Sequence, residues 1–326
     1  MRAIVISRPG GPEVLEVRDV PEPEPAAGQI RVRVYVVGVN RADLLQRRGR
    51  YPAPPGAPSD IPGLEYAGIV DALGPGVARW REGDRVMGIV GGGAYAEYVV
   101  VHEDEAVPVP ERLSLEEAAA VPEAFITAHD ALFTQAGLTA GEAVLIHAVG
   151  SGVGTAALQL AREAGARTLG TSRSAWKLER ASSLGLETAI DASHADFARV
   201  ARDATGGRGV DVVLDLVGGA YLEGNLQALA RRGRMIVVGL VAGRSATLDL
   251  GLLLSKRLSL RGTVLRSRSL AEKVDAARAF ARDVLPLLES GRVRPIVDEV
   301  LPAWEAKRAH RRLETNETYG KLVLTW

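Results

Sequence analysis

The sequence contains no cysteine in its 326 residues. This absence excludes disulfide bonds, a thiolate nucleophile, cysteine-ligated iron–sulfur clusters and cysteine-based zinc sites. An excess of one charge is also lacking, because 40 Lys and Arg residues balance 40 Asp and Glu residues. The zero net charge gives no electrostatic reason to expect a nucleic acid or an anionic membrane as a partner.

Long apolar runs are missing as well. No stretch approaches the ~18 uninterrupted apolar residues that predict a membrane span. The apolar run within residues 1–10 is too short for a signal peptide and is typical of a first strand. We therefore expect a cytoplasmic protein without a membrane partner.

The remaining composition is that of a folded chain of two domains. With 47% apolar and 25% charged residues, the sequence differs from a disordered one. At roughly 100–200 residues per domain, its length predicts two domains, each large enough for its own core. The first hundred residues carry short β-rich runs between glycines and prolines, such as the alternating run Ile30–Val37. They predict a β-rich, loop-rich first domain.

From about residue 143, apolar strands alternate with amphipathic helices. The candidate strands are 143–147, 167–171, 188–190, 210–214, 234–238 and 258–263. Six strands with helical crossovers predict an α/β fold with a doubly wound parallel sheet. Beyond them, the pattern predicts a helix over 270–289, a strand over 296–300, a helix over 303–313 and a last strand over 320–324. The pattern leaves open whether this tail extends the parallel sheet or returns to the first domain.

The first of these strands runs into a loop of small residues. Ser151, Gly152, Val153 and Gly154 stand between the strand and the next helix. Small residues let the backbone approach a pyrophosphate, and the positive helix N-terminus favours its charge. The spacing departs from G-x-G-x-x-G, so a tight strand–helix turn is the alternative. The strand, loop and helix context favours dinucleotide binding.

The residues at the end of the next strand indicate which dinucleotide binds. A site that prefers NAD usually has Asp or Glu there to accept from the ribose 2′-hydroxyl. This chain has Ser172, Arg173 and Lys177 instead, a set suited to the 2′-phosphate of NADPH. The alternative is that both cations are solvated residues at a helix start.

Several segments together resemble the zinc-independent quinone oxidoreductase branch of the medium-chain dehydrogenase/reductases. They are Gly38–Asp43, Pro62–Gly68, Gly83–Val86, Pro122–Ala128 and Val144–Gly154, which follow the family's order over nearly the whole chain. Asn40–Leu44, Ser151–Ala157 and Leu265–Arg268 resemble the subgroup of tumour-suppressor-inducible quinone oxidoreductases. The resemblance implies a GroES-like catalytic domain of residues 1–121 and 266–326 and a Rossmann NADPH-binding domain of residues 122–265. It also implies an active site between them, a homodimer, and reduction of quinones or activated enones.

The same resemblance allows the positions of the family's zinc ligands to be compared with this sequence. In the alcohol-dehydrogenase branch a Cys occupies the position of Asn40, and a His precedes the residue that is Glu65 here. Asn40 and Leu64 cannot recreate that ligand pair, and the four-Cys lobe is absent. The five histidines show no ligand spacing. We expect no metal.

The resemblance also implies roles for single residues. Asn40 and Tyr51 would donate hydrogen bonds to the oxygen that becomes charged on reduction. The alternatives are an Asn that satisfies backbone groups and a surface aromatic. Further cofactor contacts carried over are Thr127, Gly239, Leu240, Arg266 and Lys321, of which Lys321 could equally be an exposed lysine.

The sequence thus favours an NADPH-dependent, zinc-free quinone reductase. A near alternative is an enone or alkenal reductase with the same residues, since fold does not determine substrate. An alternative from another class is a nucleotide-binding structural or regulatory protein with little turnover.

Overall fold

A computed structural model describes all 326 residues, Met1 to Trp326. Its strands are β1 Arg2–Ile6, β2 Leu15–Asp19, β3 Gln29–Val39, β4 Glu65–Leu73, β5 Arg85–Ile89, β6 Tyr98–His102, β7 Ala106–Pro108, β8 Ala143–Ile146, β9 Arg167–Ser172, β10 Thr188–Asp191, β11 Val210–Asp215, β12 Leu229–Val237, β13 Ser259–Gly262, β14 Val297–Pro302 and β15 Lys321–Thr325. Its α-helices are α1 Arg41–Arg47, α2 Leu115–Ala118, α3 Thr127–His129, α4 Gly152–Glu163, α5 Ala175–Ser183, α6 Phe197–Ala204, α7 Leu222–Ala228, α8 Leu250–Lys256, α9 Leu270–Asp283, α10 Leu285–Ser290 and α11 Ala306–Thr315. Wider helical turns, with i to i+5 bonds, cover Pro122–Ile126 and Asp130–Gln135.

The chain divides into two compact units. Unit one consists of Met1–Ile126 and Leu265–Trp326, and unit two consists of Thr127–Val264. No helix in the chain combines the length and the apolarity that crossing a bilayer requires.

Unit one is built on a seven-stranded sheet. Its strand order is β14-β15-β3-β4-β5-β7, and β6 pairs with the first half of β3. The eleven-residue strand β3 has several partners because it is long: residues 29–33 pair with β6, residues 36–39 with β15 and residues 30–37 with β4. The C-terminal strand β15 pairs antiparallel with β3, so the tail joins this sheet and not the parallel one.

The predicted helix over 270–289 is wrong as a single element. Helix α9 ends at Asp283, and α10 begins at Leu285. Pro286 lies in the first turn of α10, where its missing N–H and its ring exclude a continuous helix but suit a new helix start.

Unit two is a parallel six-stranded sheet in the order β10-β9-β8-β11-β12-β13. This is the doubly wound order in which the third, second and first strands precede the fourth, fifth and sixth. Buried apolar residues such as Leu145, Leu169 and Val213 form its core. The predicted α/β fold with a doubly wound parallel sheet is therefore confirmed. The order reverses between β8 and β11, and ligands of such sheets bind outside the carboxyl ends of the strands at that point.

Candidate active site

Three strand termini bring distant residues together in unit one. Asn40 follows the end of β3, Glu65 is the first residue of β4, and Lys321 is the first residue of β15. The pairings of Leu322 with Val39 and of Tyr66 with Val37 align these termini across β3. Tertiary pairing therefore places an amide, a carboxylate and an ammonium group side by side.

The ammonium group of Lys321 uses all its donors in this place. Its Nζ donates to Val39 O at 3.0 Å and to Asn40 Oδ1 at 2.5 Å, and it lies 2.5 Å from Glu65 Oε1. The Lys321 and Glu65 side chains are only 6% and 0% exposed. The alternative of an exposed lysine is therefore wrong, because the nearby carboxylate lets the cation be buried.

Both carboxylate oxygens of Glu65 have polar partners. Oε1 also accepts from Asn40 Nδ2 at 2.8 Å, and Oε2 accepts from the backbone N–H of Glu123 at 2.8 Å. Gly38 makes room for this carboxylate, because a Cβ at that position would collide with Glu65 and with Ala119 O. Glu65 thus joins the end of β3 to the turn that begins at Pro122.

Asp43 is a second buried carboxylate beside Asn40. It accepts from the N–H of Asn40 at 2.8 Å, from the N–H of Gly63 at 3.1 Å and from the hydroxyl of Tyr95 at 3.2 Å. Burial raises the pKa of Asp43 to about 6, against the opposite effect of the two backbone donors and of the charges of Lys321 and Arg266.

Asp43 ends a directed chain of buried hydrogen bonds. His310 Nδ1 lies 3.1 Å from Arg47 Nη1, and His310 Nε2 lies 3.2 Å from Tyr95 Oη. Since arginine cannot accept, His310 Nδ1 accepts and Nε2–H donates to Tyr95, which donates to Asp43. Burial lowers the pKa of His310 to about 3, so the imidazole is neutral at physiological pH.

The carboxyl group of Glu123 differs from the other two acids. Its backbone is held by Glu65, but no hydrogen bond or ion pair within the chain engages its side-chain oxygens. Burial and then the negative charge of Glu65 raise the pKa of Glu123 to about 8, which Lys321 and Arg266 partly oppose. Glu123 therefore holds a proton at neutral pH.

Arg266 organises the loop that carries Tyr51. Its guanidinium donates to Gly91 O at 2.7 Å, to Tyr51 O at 3.2 Å and to Gln46 Oε1 at 2.5 Å. It also lies over the Tyr51 ring, 4.8 Å from the centroid. Burial raises the pKa of Tyr51, Arg266 lowers it, and the charge of Glu123 raises it.

In unit two, the loop after β8 presents backbone N–H groups at the start of the twelve-residue helix α4. Ser151 Oγ accepts from the N–H of Gly154 at 3.1 Å and caps this helix. A Cβ at Gly154 would lie 2.8 Å from Val149 Cα, so only glycine lets the helix start this close to the loop. Ala148 adopts a φ of +48°, which is a strained value for alanine. The uncapped N–H groups of the first turn suit a pyrophosphate.

The end of β9 carries the hydroxyl and the cations expected there. Ser172 is the last residue of the strand, Arg173 is exposed, and Lys177 lies in the first turn of α5, 5.3 Å from the Trp176 ring centroid. Asp191 is paired beside Ser172 in the sheet. Its carboxylate accepts from the N–H and hydroxyl of Ser193, which together lower its pKa.

A buried chain of hydrogen bonds joins the carboxyl ends of β8, β9 and β11. His147 Nδ1 lies 2.8 Å from Thr171 Oγ1, and His147 Nε2 lies 2.6 Å from Asn225 Oδ1. Asn225 Nδ2 donates to Asp215 Oδ2 at 3.1 Å. Asp215 Oδ1 in turn accepts from two backbone N–H groups in the glycine-containing turn after β11. This chain holds the loops at the edge where a dinucleotide is expected.

The remaining expected cofactor residues have more ordinary surroundings. Thr127 is buried at the start of α3. Gly239 follows β12 and donates from its N–H to Asp215 O at 3.2 Å. Leu240 is 51% exposed beside it.

The structure brings Asn40 into contact with Lys321, and Tyr51 into contact with Arg266. It gathers Ser151–Gly154, Ser172 and Gly239 just beyond or at the carboxyl ends of neighbouring strands.

Sequence reasoning missed Glu65, Asp43 and Glu123 as site residues, and it missed the chain from His147 to Asp215. The available signal was acidic residues among apolar and glycine neighbours, because a buried acidic group has to be paired or neutralised.

Nowhere do three or more His, Cys, Asp or Glu residues come together as a group able to hold a metal ion.

Comparison with known proteins finds two family models. "Alcohol dehydrogenase GroES-like domain" matches residues 26–111, and "Zinc-binding dehydrogenase" matches residues 152–281. A quinone oxidoreductase of Pseudomonas aeruginosa is 38% identical over 97% of this chain and 96% of its own length. A 2-haloacrylate reductase of a Burkholderia species is 32% identical over 99% of this chain and 98% of its own.

Solved structures resemble the whole chain. The quinone oxidoreductase of Escherichia coli complexed with NADPH superposes with a TM-score of 0.89 at 32% identity, covering both chains completely. An NAD-dependent alcohol dehydrogenase superposes with a TM-score of 0.88 at 36% identity, again covering both chains completely.

Proposed function

This chain belongs to the quinone oxidoreductase family of the medium-chain dehydrogenase/reductase superfamily, and from that premise we propose that it is a zinc-free, NADPH-dependent quinone reductase. The likeness to a quinone oxidoreductase over nearly the full length of both proteins carries the proposal. Bound NADPH would supply the hydride, and the protein would supply binding, orientation and electrostatics.

Unit two would hold the dinucleotide. The N–H groups at the start of α4, with Ser151 and Gly154, would bind the pyrophosphate. Ser172, Arg173 and Lys177 would bind the adenosine 2′-phosphate, since charge-assisted hydrogen bonds favour cations there. The Asp191 carboxylate, already accepting two hydrogen bonds from Ser193, is a weaker competitor for a ribose hydroxyl than a free one.

Thr127, Gly239 and Leu240 would line the nicotinamide half. Arg266 would act on the same region indirectly, because its donors hold the Tyr51 loop. Lys321 would likewise orient Asn40 through Asn40 Oδ1.

Unit one would stabilise the reduced acceptor. Hydride addition to a quinone leaves negative charge on an oxygen, and a fixed donor stabilises that charge. Lys321 and Glu65 fix the orientation of the Asn40 amide, whose Nδ2 carries a second hydrogen beyond the one given to Glu65. Tyr51 keeps its phenol proton at neutral pH and would be the second donor.

We also propose that the protein is a cytoplasmic homodimer. Strand β13 is the edge of its sheet, and nearby Leu250 and Leu254 are 61% and 75% exposed. An open sheet edge beside apolar side chains favours pairing with a second copy. Light scattering after size-exclusion chromatography should give twice the chain mass, and cell fractionation should place the protein with cytoplasmic NADPH-using enzymes.

The test of the function is oxidation of NADPH by protein stripped of metal. The rate is measured against a panel of quinones, enones and alkenals, with NADH run in parallel. Rapid turnover of quinones with NADPH is the expected result. Turnover only after zinc is restored, or tight NADPH binding without turnover of any acceptor, would overturn the proposal.

An enone or alkenal reductase is the second candidate. The 2-haloacrylate reductase among the relatives favours it, because its name describes an activated alkene as substrate. A higher kcat/KM for enones than for quinones in the same panel would decide for this candidate. Binding without turnover would instead support a structural or regulatory role.

A further inference from the structure

We propose that the side-chain carboxyl group of Glu123 is the proton donor of the reduction, delivering its proton to the acceptor oxygen that becomes anionic. The inference rests on the proposed reductase function and adds to it a residue that none of the sequence motifs marked as catalytic.

Most protons in the polar cluster of unit one, which comprises Asn40, Asp43, Glu65, Glu123, Arg266 and Lys321, are engaged in hydrogen bonds. Lys321 directs its donors to Val39, Asn40 and Glu65, and Arg266 directs its donors to Gly91, Tyr51 and Gln46. All three donors of Lys321 are therefore engaged in buried contacts, and the guanidinium of Arg266 does not give up a proton in proteins.

The two other acids are equally occupied. The oxygens of Glu65 accept from Asn40, Lys321 and Glu123, and those of Asp43 accept from Asn40, Gly63 and Tyr95. Protonating either acid would place an O–H group against existing donors. A proton on these carboxylates is therefore disfavoured by geometry.

Among the three acids of the cluster, Glu123 is the one that is protonated at neutral pH and whose carboxyl oxygens make no hydrogen bond within the chain. Its backbone is fixed by the hydrogen bond to Glu65, so the side chain leaves the chain from a defined point. Burial and the charge of Glu65 keep the proton on the carboxyl group, and Asp43 adds to this effect while Lys321 and Arg266 oppose it. Its charge also acts on the phenol of Tyr51, so both groups belong to one electrostatic neighbourhood.

The proton balance of the step is simple. The quinone receives two electrons and one hydrogen as hydride, and one of its oxygens is left as a phenolate. The O–H bond of Glu123 breaks, a new O–H bond forms on that oxygen, and a hydroquinone results. Glu123 is left as a carboxylate and regains a proton from water. A carboxylic acid with a pKa near the working pH suits both halves of this cycle.

The first test is independent of turnover. Infrared titration of the wild-type protein should show a carboxylic acid C=O band at neutral pH that disappears as the pH rises through about 8. Glu123→Gln should remove this band, and the exposed control Glu111→Gln should retain it. Absence of the band in the wild type would overturn the proposal.

The second test uses rates. We expect Glu123→Gln to lower kcat by roughly 100- to 10,000-fold while leaving the NADPH dissociation constant unchanged. The wild-type rate should fall above about pH 8, the Gln variant should lose this pH dependence, and Glu123→Asp should restore part of the rate. An active wild type with an unaffected Gln variant would overturn this inference alone. A wild type that reduces no acceptor would instead overturn the proposed function.

Discussion

Lys321 and Glu65 form an ion pair at 2.5 Å although Glu65 belongs to the N-terminal segment of unit one and Lys321 to its C-terminal segment. Each begins a strand that pairs with β3, and Asn40 contacts both. The ion pair therefore fixes the amide proposed to face the acceptor. Burial and, after it, the negative charge of Glu65 raise the pKa of Glu123, and the positive charge of Lys321 partly opposes them.

Removing the cation of this ion pair should destabilise the folded protein. We expect Lys321→Met to lower the free energy of unfolding by about 3–5 kcal/mol, because the Glu65 carboxylate stays buried without its counter-ion. Urea denaturation followed by circular dichroism measures the change.

The matched control is the double variant Lys321→Met with Glu65→Gln. It should be more stable than Lys321→Met alone, because no uncompensated charge remains. If the stability loss of the double variant equals the sum of the losses in Lys321→Met and Glu65→Gln alone, the two side chains are not coupled as described.

Gly154 should tolerate no side chain. In Gly154→Ala the new Cβ would press against Val149 and Ala148 O, which costs about 1–3 kcal/mol and displaces the N–H groups of the loop. We expect weaker NADPH binding by fluorescence titration together with a lower melting temperature. Gly262→Ala is the control, because its Cβ enters open space. Equal behaviour of the two variants would contradict the role given to Gly154.

The cations beyond β9 should discriminate between the two dinucleotides. The double variant Arg173→Ala with Lys177→Ala should reduce the NADPH-to-NADH affinity ratio by roughly tenfold or more, since hydrogen bonds to charged groups contribute about 1.5–3 kcal/mol. Calorimetric titration with each dinucleotide measures the ratio. Arg199→Ala, which removes an exposed cation elsewhere in unit two, should leave it unchanged. An unchanged ratio in the double variant would mean that other residues recognise the phosphate.

His310 should make stability depend on acidification. Its folded pKa of about 3 lies below its ordinary value of 6.5, so the unfolded chain binds the extra proton between these pH values. The stability that His310 contributes is present above about pH 6.5 and is lost as the pH falls, by at most about 1.4 kcal/mol per pH unit.

His310→Gln isolates this effect. The difference in unfolding free energy between the wild type and this variant should shift against the wild type as the pH falls from about 6.5 towards 4. Denaturation curves at several pH values measure it, and other acids cancel in the difference. A difference that is constant with pH would show that His310 is not buried as a neutral imidazole.

Much of unit two could be predicted from the sequence, because its signals are local. The run from β8 through Ser151 to Gly154 is one continuous stretch in which strand, turn and helix start follow each other. Apolar strands alternating with amphipathic helices leave few arrangements other than a doubly wound sheet. Ser172 could be located for the same reason, since it ends the next strand.

The polar cluster of unit one needed the tertiary structure. Lys321 and Glu65 meet only because β15 and β4 pair with the same strand, and no local pattern states which strands pair. The sequence left the burial of Lys321 undecided, and it gave no reason to single out Glu123. The charge state of Glu123 depends on desolvation and on neighbours brought from elsewhere in the chain. Sequence thus determined the sheet of unit two and the position of its glycine-containing loop after β8, whereas the folded structure decided which polar groups of unit one hold protons.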